Sequence, residues 1–499
     1  MDISVNLKNN NGFSWYETKF SFVKGYAFYE GKLYQGDNFN YLFKDVDKYD
    51  EFKDIIRKLN GVFSVVIKNT NSVFLASDLT RTFPVFYSLN ENNLRISDDA
   101  SVFTDSQTLM DQNSIDEFKA AGFVTGSKTL LKGVYQIEAG QTLLINKKCT
   151  QRESYWTYKC KPLRSDNISD LKEELKGIYS RIAHRIAEVA KGKTLLIPLS
   201  GGYDSRLVAC LVKDIGYKNV ICFTYGRESC FEAKRSKRVA KELGLEWFFV
   251  PYNDKIIARY FSHLKLWDEY TQFASNYSSI PHIQDFIAIA ELKAQKAVPS
   301  DSILLPGHSG DIFAGTHIPK NIDSISSLAD CEIAIHKKHF QYESFKLPVN
   351  FEDGHKPYYS AIETWSWKER QAKFIINSVR CYEFFDYKFM LPLWDKELAE
   401  FFRAIPLEYK NRFSINSYDE SNNLYDLVAT ELFSKYGVNY KKRFYENFLP
   451  RVLCKVFGWC QYKDCINFSK FTQYLVKGVK HKSINAKVIK YTLSKLVKN

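Results

Sequence analysis

Paired cysteines are missing from this chain. Its ten cysteines are scattered between Cys149 and Cys465, and no two stand as Cys-x-x-Cys. That excludes a zinc ribbon and argues against a disulfide framework. Cys210 in RLVACLV and Cys222 in NVICF lie in apolar runs and read as small buried hydrophobes. Glycine and proline are also sparse, 23 and 13 in 499 residues, which excludes collagen-like and mucin-like classes. No apolar run is long enough to span a bilayer, and MDISVNLKNN lacks the apolar core of a signal peptide. A cytoplasmic, reducing location is the expectation. Internal repeats and low-complexity tracts are absent from the sequence as well.

What is present is ordinary for a globular protein: 45% hydrophobic and 25% charged residues, with 38 Phe, 32 Tyr and 8 Trp to build cores. The length calls for two domains and an appendage. The net charge of +13 is unevenly placed. From Arg451 onward there are eleven basic residues and one acid, so the tail carries +10 and the preceding 450 residues only +3. Leu475, Val479, Ile484, Val488, Ile489, Leu493 and Leu496 interleave with those lysines. The tail is expected to be a helix packed on the body, with contact to an anionic membrane face or acidic partner as the alternative. Nucleic acid is not favoured, because the body is nearly neutral.

Residues 1–160 read mainly as short strands (FSFVKGYAFYEGKLY, GVFSVVIKN, SVFLASD, TLLIN) with a helix at EFKDIIRKL, an α+β domain of packed sheets. The polar stretch 161–170 suits a linker. Leu171, Leu175, Ile178, Ile182, Ile186 and Val189 then recur at helical spacing. From KTLLIPL onward strand and helix alternate, the pattern of a doubly wound parallel α/β sheet. Beyond residue 325 the chain reads mostly helical to about 450. The units are therefore 1–160, 170–447 and a basic extension at 451–499.

The informative stretch is Pro198-Leu199-Ser200-Gly201-Gly202-Tyr203-Asp204-Ser205-Arg206, between a buried strand and a helix. The two glycines allow a tight turn that aims successive N–H groups at one point. Ser200 and Ser205 add hydroxyls, and the helix start adds partial positive charge, which together cradle a phosphate. Asp204 would repel that anion unless a cation lies between them, which implies Mg²⁺. The lysine of the Walker pattern is absent. The next strand ends in Phe223-Thr224-Tyr225-Gly226, where Thr224 and Gly226 would flank a nucleotide. A third strand runs into Pro306-Gly307-His308-Ser309-Gly310-Asp311. If it lies beside the first, Asp311 faces Asp204 and shares the metal.

SGGYDS, FTYG and LLPGHSGD in this order resemble the synthetase domain of the asparagine synthetase family, as do Arg380 to Phe385 and Leu391-Pro392-Leu393-Trp394-Asp395. Leu59 to Phe63, Ser77 to Arg81, Glu138-Ala139-Gly140 and Tyr155-Trp156 resemble the class II glutamine amidotransferase domain that precedes it. The resemblance implies an ATP- and Mg²⁺-dependent ligase. It would adenylate a small-molecule carboxylate, release pyrophosphate, and pass the acyl group to ammonia or an amine. Leu199, Ser200, Gly201, Gly202, Asp204, Ser205, Thr224, Gly226 and Gly307 would hold ATP, and Asp204 and Asp311 the metal. A family lysine that reaches the acyl-adenylate corresponds to Lys441 or Lys442. Glu232 matches an acid at a helix start.

The sequence also departs from the family. Position 2 holds Asp2, not the catalytic cysteine of a working glutaminase, so glutamine hydrolysis is expected to be lost. The family glutamate in the third loop is replaced by His308, and the acid after its aspartate by Ile312. In the β-lactam-forming branch these positions hold tyrosine and isoleucine, so aspartate is not expected as the substrate. His308, with a pKa expected near neutrality, serves either as base for the attacking amine or as a substrate-binding group. Two other classes are a tRNA-modifying adenylating enzyme, disfavoured by the lack of a Cys-x-x-Cys pair, and a non-catalytic member, disfavoured by retention of both acids.

Overall fold

The computed structural model describes residues 1–90, 93–160, 164, 166–228, 230–319, 322–344, 349, 351, 357–410, 423–439, 474, 475 and 483–497. Lys441 and Lys442 lie outside the described residues. The N-terminal region contains β1 (Asp2–Asn6), β2 (Trp15–Glu17), β3 (Ser21–Tyr29), β4 (Lys32–Gln35), β5 (Asn60–Lys68) and β6 (Ser72–Ser77). It continues with β7 (Phe86–Asn90), β8 (Asn93–Ser97), β9 (Tyr135–Gln136), β10 (Gln141–Asn146) and β11 (Thr150–Ser154). They form a seven-stranded sheet in the order β11-β10-β6-β5-β3-β2, with β4 paired to β3, and a four-stranded sheet β1-β8-β7-β9.

The period of two along β5 explains the layering. Phe63, Val65 and Ile67 face Phe39, Phe43, Phe52 and Ile56 of the helices Asp37–Tyr41 and Tyr49–Lys58. Val66 faces the other way, onto Tyr87, Leu94 and Ile96 of the second sheet. The hairpin between β3 and β4 turns on Glu30 and Gly31, both at positive φ (50° and 80°), as a tight two-residue turn requires.

The helix Ile168–Ala190 buries all six of the periodic positions, Leu171 through Val189, and Asn167 caps it by accepting from the Asp170 N–H. It leads into β12 (Leu195–Pro198), β13 (Val220–Gly226), β14 (Glu246–Pro251), β15 (Ile303–Leu304) and β16 (Lys388–Phe389). All are parallel, in the order β14-β13-β12-β15-β16. The first strand is central: the chain builds outward on one side, then crosses to the other. The carboxyl ends of β12 and β15 therefore flank the topological switch point, where such sheets bind ligands. The doubly wound expectation is met. The mostly helical expectation after residue 325 is met, with β16 added, two residues long and too short to leave a pattern. Around it stand the helices Leu328–His339, Tyr359–Trp365, Val379–Phe384 and Leu424–Lys435, with a π-helical stretch at Ser366–Ile375.

The sheets share a continuous core. Phe13 meets Phe389 edge-on with ring centroids 5.3 Å apart, and Trp156 meets Trp367 at 5.0 Å. Asn60 Nδ2 donates to Asp395 Oδ2 at 3.1 Å and Asn60 Oδ1 accepts from the Lys396 N–H at 2.9 Å. A buried ion cluster of Lys24, Glu383 and Arg380 crosses the same boundary. The C-terminal helix Ile484–Leu496 docks on the body. Val488 and Ile489 are buried, and Lys495 Nζ reaches Asp268 Oδ2 at 2.9 Å. This segment of the basic tail is thus packed on the protein.

Candidate active site

The segment after β12 folds as the glycines dictate. Leu199 extends the strand, donating its N–H to the Phe223 carbonyl at 2.8 Å. Gly202 caps the helix Tyr203–Asp214 in an extended conformation. Inside the loop, Ser205 Oγ accepts from the Ser200 N–H at 3.0 Å and shares a 2.9 Å hydrogen bond with Ser200 Oγ, which accepts from the Gly202 N–H at 3.1 Å. The outer carbonyl of Gly201 is held by the guanidinium groups of Arg206 (3.1 Å) and Arg235 (3.3 Å). These contacts fix the turn with the start of the helix behind it, the geometry that concentrates positive potential for an anion.

The third loop lies directly against this one. A Cβ on Gly307 would come within 2.5 Å of the Ser205 backbone nitrogen. A Cβ on Gly310 would overlap the Tyr425 hydroxyl and lie 2.9 Å from Asp204 Cγ. Both glycines are thus required by close approach, not by turn conformation. The Asp311 N–H donates to Asp204 Oδ2 at 3.1 Å, and Tyr425 Oη donates to Asp204 Oδ1 at 2.8 Å. Thr316 Oγ1 donates to Asp311 Oδ2 at 3.1 Å. Asp204 and Asp311 are both half-buried.

This donor set fits Mg²⁺ held chiefly by phosphate. Among the described residues no cluster of three or more His, Cys, Asp or Glu forms a metal cage. Two carboxylates leave an octahedral ion most of its positions for phosphate oxygens and water, as hard Mg²⁺ prefers.

Thr224 and Gly226 lie at the end of β13 beside the loop, but the Thr224 hydroxyl is committed elsewhere. It donates to the Leu199 carbonyl at 2.6 Å, shares a hydrogen bond with Ser236 and accepts from Trp247 Nε1 at 3.1 Å. Its visible role is to tie the first loop to β13. Gly226 is at φ 122°, and its carbonyl accepts from the Tyr252 N–H at 2.8 Å.

His308 is half-buried, with Ser378 Oγ 3.4 Å from its Nδ1. Burial pushes its pKa down to about 4, against the opposing charge of Asp285. The expected near-neutral value is thus corrected: desolvation outweighs the neighbouring acid, and the imidazole is neutral at pH 7. Asp285 accepts from Tyr382 Oη at 2.6 Å and from Tyr225 Oη, which fixes the carboxylate behind His308. Tyr425, Thr316, Arg235, Asp285 and Ser378 carry no local sequence signature. The sheet crossover brings them in from segments far along the chain.

Residues 46–156 match the glutamine amidotransferase domain and residues 189–416 match asparagine synthase. The chain is 21% identical over 300 residues to "Microcin J25-processing protein McjC" of Escherichia coli, covering 59% of this chain and 54% of that protein. It is 24% identical over 200 residues to "Carboxyethyl-arginine beta-lactam-synthase" of Streptomyces clavuligerus, covering 40% of this chain and 36% of that protein. It therefore spans about half, or less, of the length of these relatives. Among solved structures, NH3-dependent NAD synthetase from Campylobacter jejuni aligns at a TM-score of 0.20 and 15% identity, covering 30% of this chain and 62% of that one.

Proposed function

We propose that this chain, which belongs to the asparagine synthetase family, is an ATP-dependent amide-forming ligase that adenylates a carboxylic acid and passes the acyl group to ammonia or an amine. The observation that carries this reading is the junction of the two loops at the switch point, where the Asp311 N–H meets Asp204 Oδ2 at 3.1 Å beside the Ser200–Ser205 turn. A carboxylate is a poor electrophile, and its conversion to an acyl-adenylate supplies a good leaving group.

In this mechanism a substrate carboxylate oxygen attacks the α-phosphorus of ATP and pyrophosphate departs. The backbone N–H of Gly201 and the hydroxyls of Ser200 and Ser205, released from their mutual hydrogen bond, would orient the phosphates. Bound Mg²⁺, held by Asp204, Asp311 and phosphate oxygens, would neutralise charge building on them. The amine nitrogen then attacks the acyl carbon and AMP leaves. His308, neutral before reaction, would take the amine proton, with Asp285 stabilising the imidazolium. Lys441 or Lys442 would reach the acyl-adenylate. Free ammonia or a substrate amine would be the donor. The need for ATP supports a cytoplasmic setting. No described helix is long and apolar enough to cross a membrane.

ATP–pyrophosphate exchange, driven by a panel of carboxylic acids, tests this reading. Exchange should depend on Mg²⁺ and vanish in Asp204→Asn. Failure of the wild-type protein both to bind MgATP and to exchange would overturn it.

A further inference from the structure

Asp204 and Asp311 come from separate segments, and the supports behind them meet at one buried side chain. Asp311 lies on the short helix Gly310–Phe313. Ala314 closes that helix, donating its N–H to the Gly310 carbonyl at 3.3 Å. Asp204 accepts from Tyr425, the second residue of the helix Leu424–Lys435. Asn423, the residue before that helix, is fully buried and touches both supports.

Asn423 Oδ1 accepts from the Asp426 N–H at 3.1 Å, which caps the helix that carries Tyr425. Asn423 Nδ2 donates to the Ala314 carbonyl at 3.1 Å and to the Lys410 carbonyl at 2.7 Å. The Lys410 carbonyl also presses on the Asp311 segment, because a Cβ on Gly315 would lie 2.3 Å from it. Lys410 is itself fixed, donating from Nζ to both oxygens of the buried Glu363 at 3.0 and 3.2 Å. The amide of Asn423 thus fastens the end of the Asp311 helix to an immobile neighbour and to the start of the Tyr425 helix.

This position calls for an amide. It must offer two N–H groups to two carbonyls and one acceptor to a helix N–H. Ionised aspartate offers acceptors only, and serine, which also caps helices, has one proton for two carbonyls. A buried carbonyl left without a donor is costly, so the Asp311 segment would shift to find another. Such a shift moves Asp311 relative to Asp204.

We infer that Asn423 is a positioning residue that sets the spacing of Asp204 and Asp311, and so favours the magnesium complex of ATP over the free nucleotide. This rests on the ligase reading and adds to it a determinant outside the phosphate-binding loops. Asn423 acts through Tyr425 on one side and through Ala314 on the other. Mg²⁺ demands near-ideal octahedral geometry, so two carboxylates share the ion only where their separation is held.

The test is calorimetric binding of MgATP and of ATP in excess EDTA, at a temperature where melting curves show each variant folded. Asn423→Ser keeps a cap and loses the paired donation. It should weaken MgATP about tenfold or more and change metal-free ATP by no more than about twofold. Asn423→Asp, of the same size and also a cap, should do the same. Ile56→Ala, in the separate core between the helix Tyr49–Lys58 and β5, is the stability control. It should lower the melting temperature and leave both affinities unchanged. In a double-mutant cycle with Tyr425→Phe, the combined loss of MgATP affinity should be smaller than the product of the single losses, because both changes act on Asp204. Equal weakening of MgATP and metal-free ATP, unchanged MgATP affinity, or fully independent losses in the cycle would overturn the inference and leave the ligase reading intact. Failure of the wild-type protein to bind MgATP and to support exchange would instead sink the ligase reading, and the inference with it.

Discussion

At the residue scale, the site depends on atoms that are absent. Gly307 has no Cβ because the Ser205 backbone occupies that space, and Gly310 has none because Tyr425 and Asp204 do. Gly307→Ala should therefore displace the phosphate loop, costing about 1–3 kcal/mol of stability as overpacking usually does. MgATP binding by calorimetry should fall below detection. Tyr425→Phe is a milder probe. It removes one hydrogen bond to the Asp204 carboxylate, worth about 1.5–3 kcal/mol for a charged acceptor. MgATP affinity should fall roughly tenfold, and the melting temperature by a few degrees. Burial also leaves a pH signature. His308 is held down to about 4 and His339 to about 2, and burial lowers His282 and His317 as well. An unfolded chain would protonate these groups near pH 6.5, so it binds more protons than the native protein below that pH. Stability should fall as pH drops from about 6.5 toward 4, measured by urea unfolding. His308→Gln should flatten part of that slope, and an unchanged slope would count against a buried neutral His308.

At the scale of elements, legibility followed locality. The strand–loop–helix around Ser200–Ser205 is written in nine consecutive residues, and the helix Ile168–Ala190 in a simple period, so both were readable. The third loop was readable as a motif, and its position beside the first was conditional on strand order, which β15 pairing with β12 supplies. β16 was hidden because two residues carry no period. Tyr425 and Thr316 were hidden for a different reason: each looks ordinary in its own helix or turn, and only packing turns it toward Asp204 or Asp311. The C-terminal helix shows how packing decides between readings. Ile489 lies against the Gly122 turn, 3.5 Å from where a Cβ would stand, and Tyr491 donates to Asp268. Ile489→Asp would bury an unpaired charge and should release this helix. Limited proteolysis should then remove the C-terminus faster than in the wild-type protein, while ATP–pyrophosphate exchange is retained.

At the scale of the whole molecule, the amidotransferase-like sheets and the parallel sheet are joined by more than a linker. The Lys24–Glu383–Arg380 cluster is buried between them, as are Phe13, Phe83 and Phe389. Removing one partner of such a cluster strands a charge in the interior, at about 3–5 kcal/mol. Lys24→Met should lower stability by about that amount, although it lies far along the chain from every loop of the active site. Calorimetry should record one cooperative transition, and two separated peaks would show that the halves are energetically independent. The sequence indicated two units by a change of pattern, from alternating strands to strand–helix repeats. It did not indicate that they share a core, because each buried face looks the same whichever partner covers it.

The order β14-β13-β12-β15-β16 has a further consequence, for synthesis. The central strand leaves the ribosome early, yet its neighbour β15 follows about a hundred residues later and β16 only near residue 388. Until β15 arrives one edge of β12 is an open template, and the phosphate loop has no opposing wall. Late arrival of essential pairings slows folding and prolongs exposure of apolar edges. The nascent chain cannot hold nucleotide while it is being made, and chains truncated before residue 388 should be substrates for chaperones, not partial enzymes.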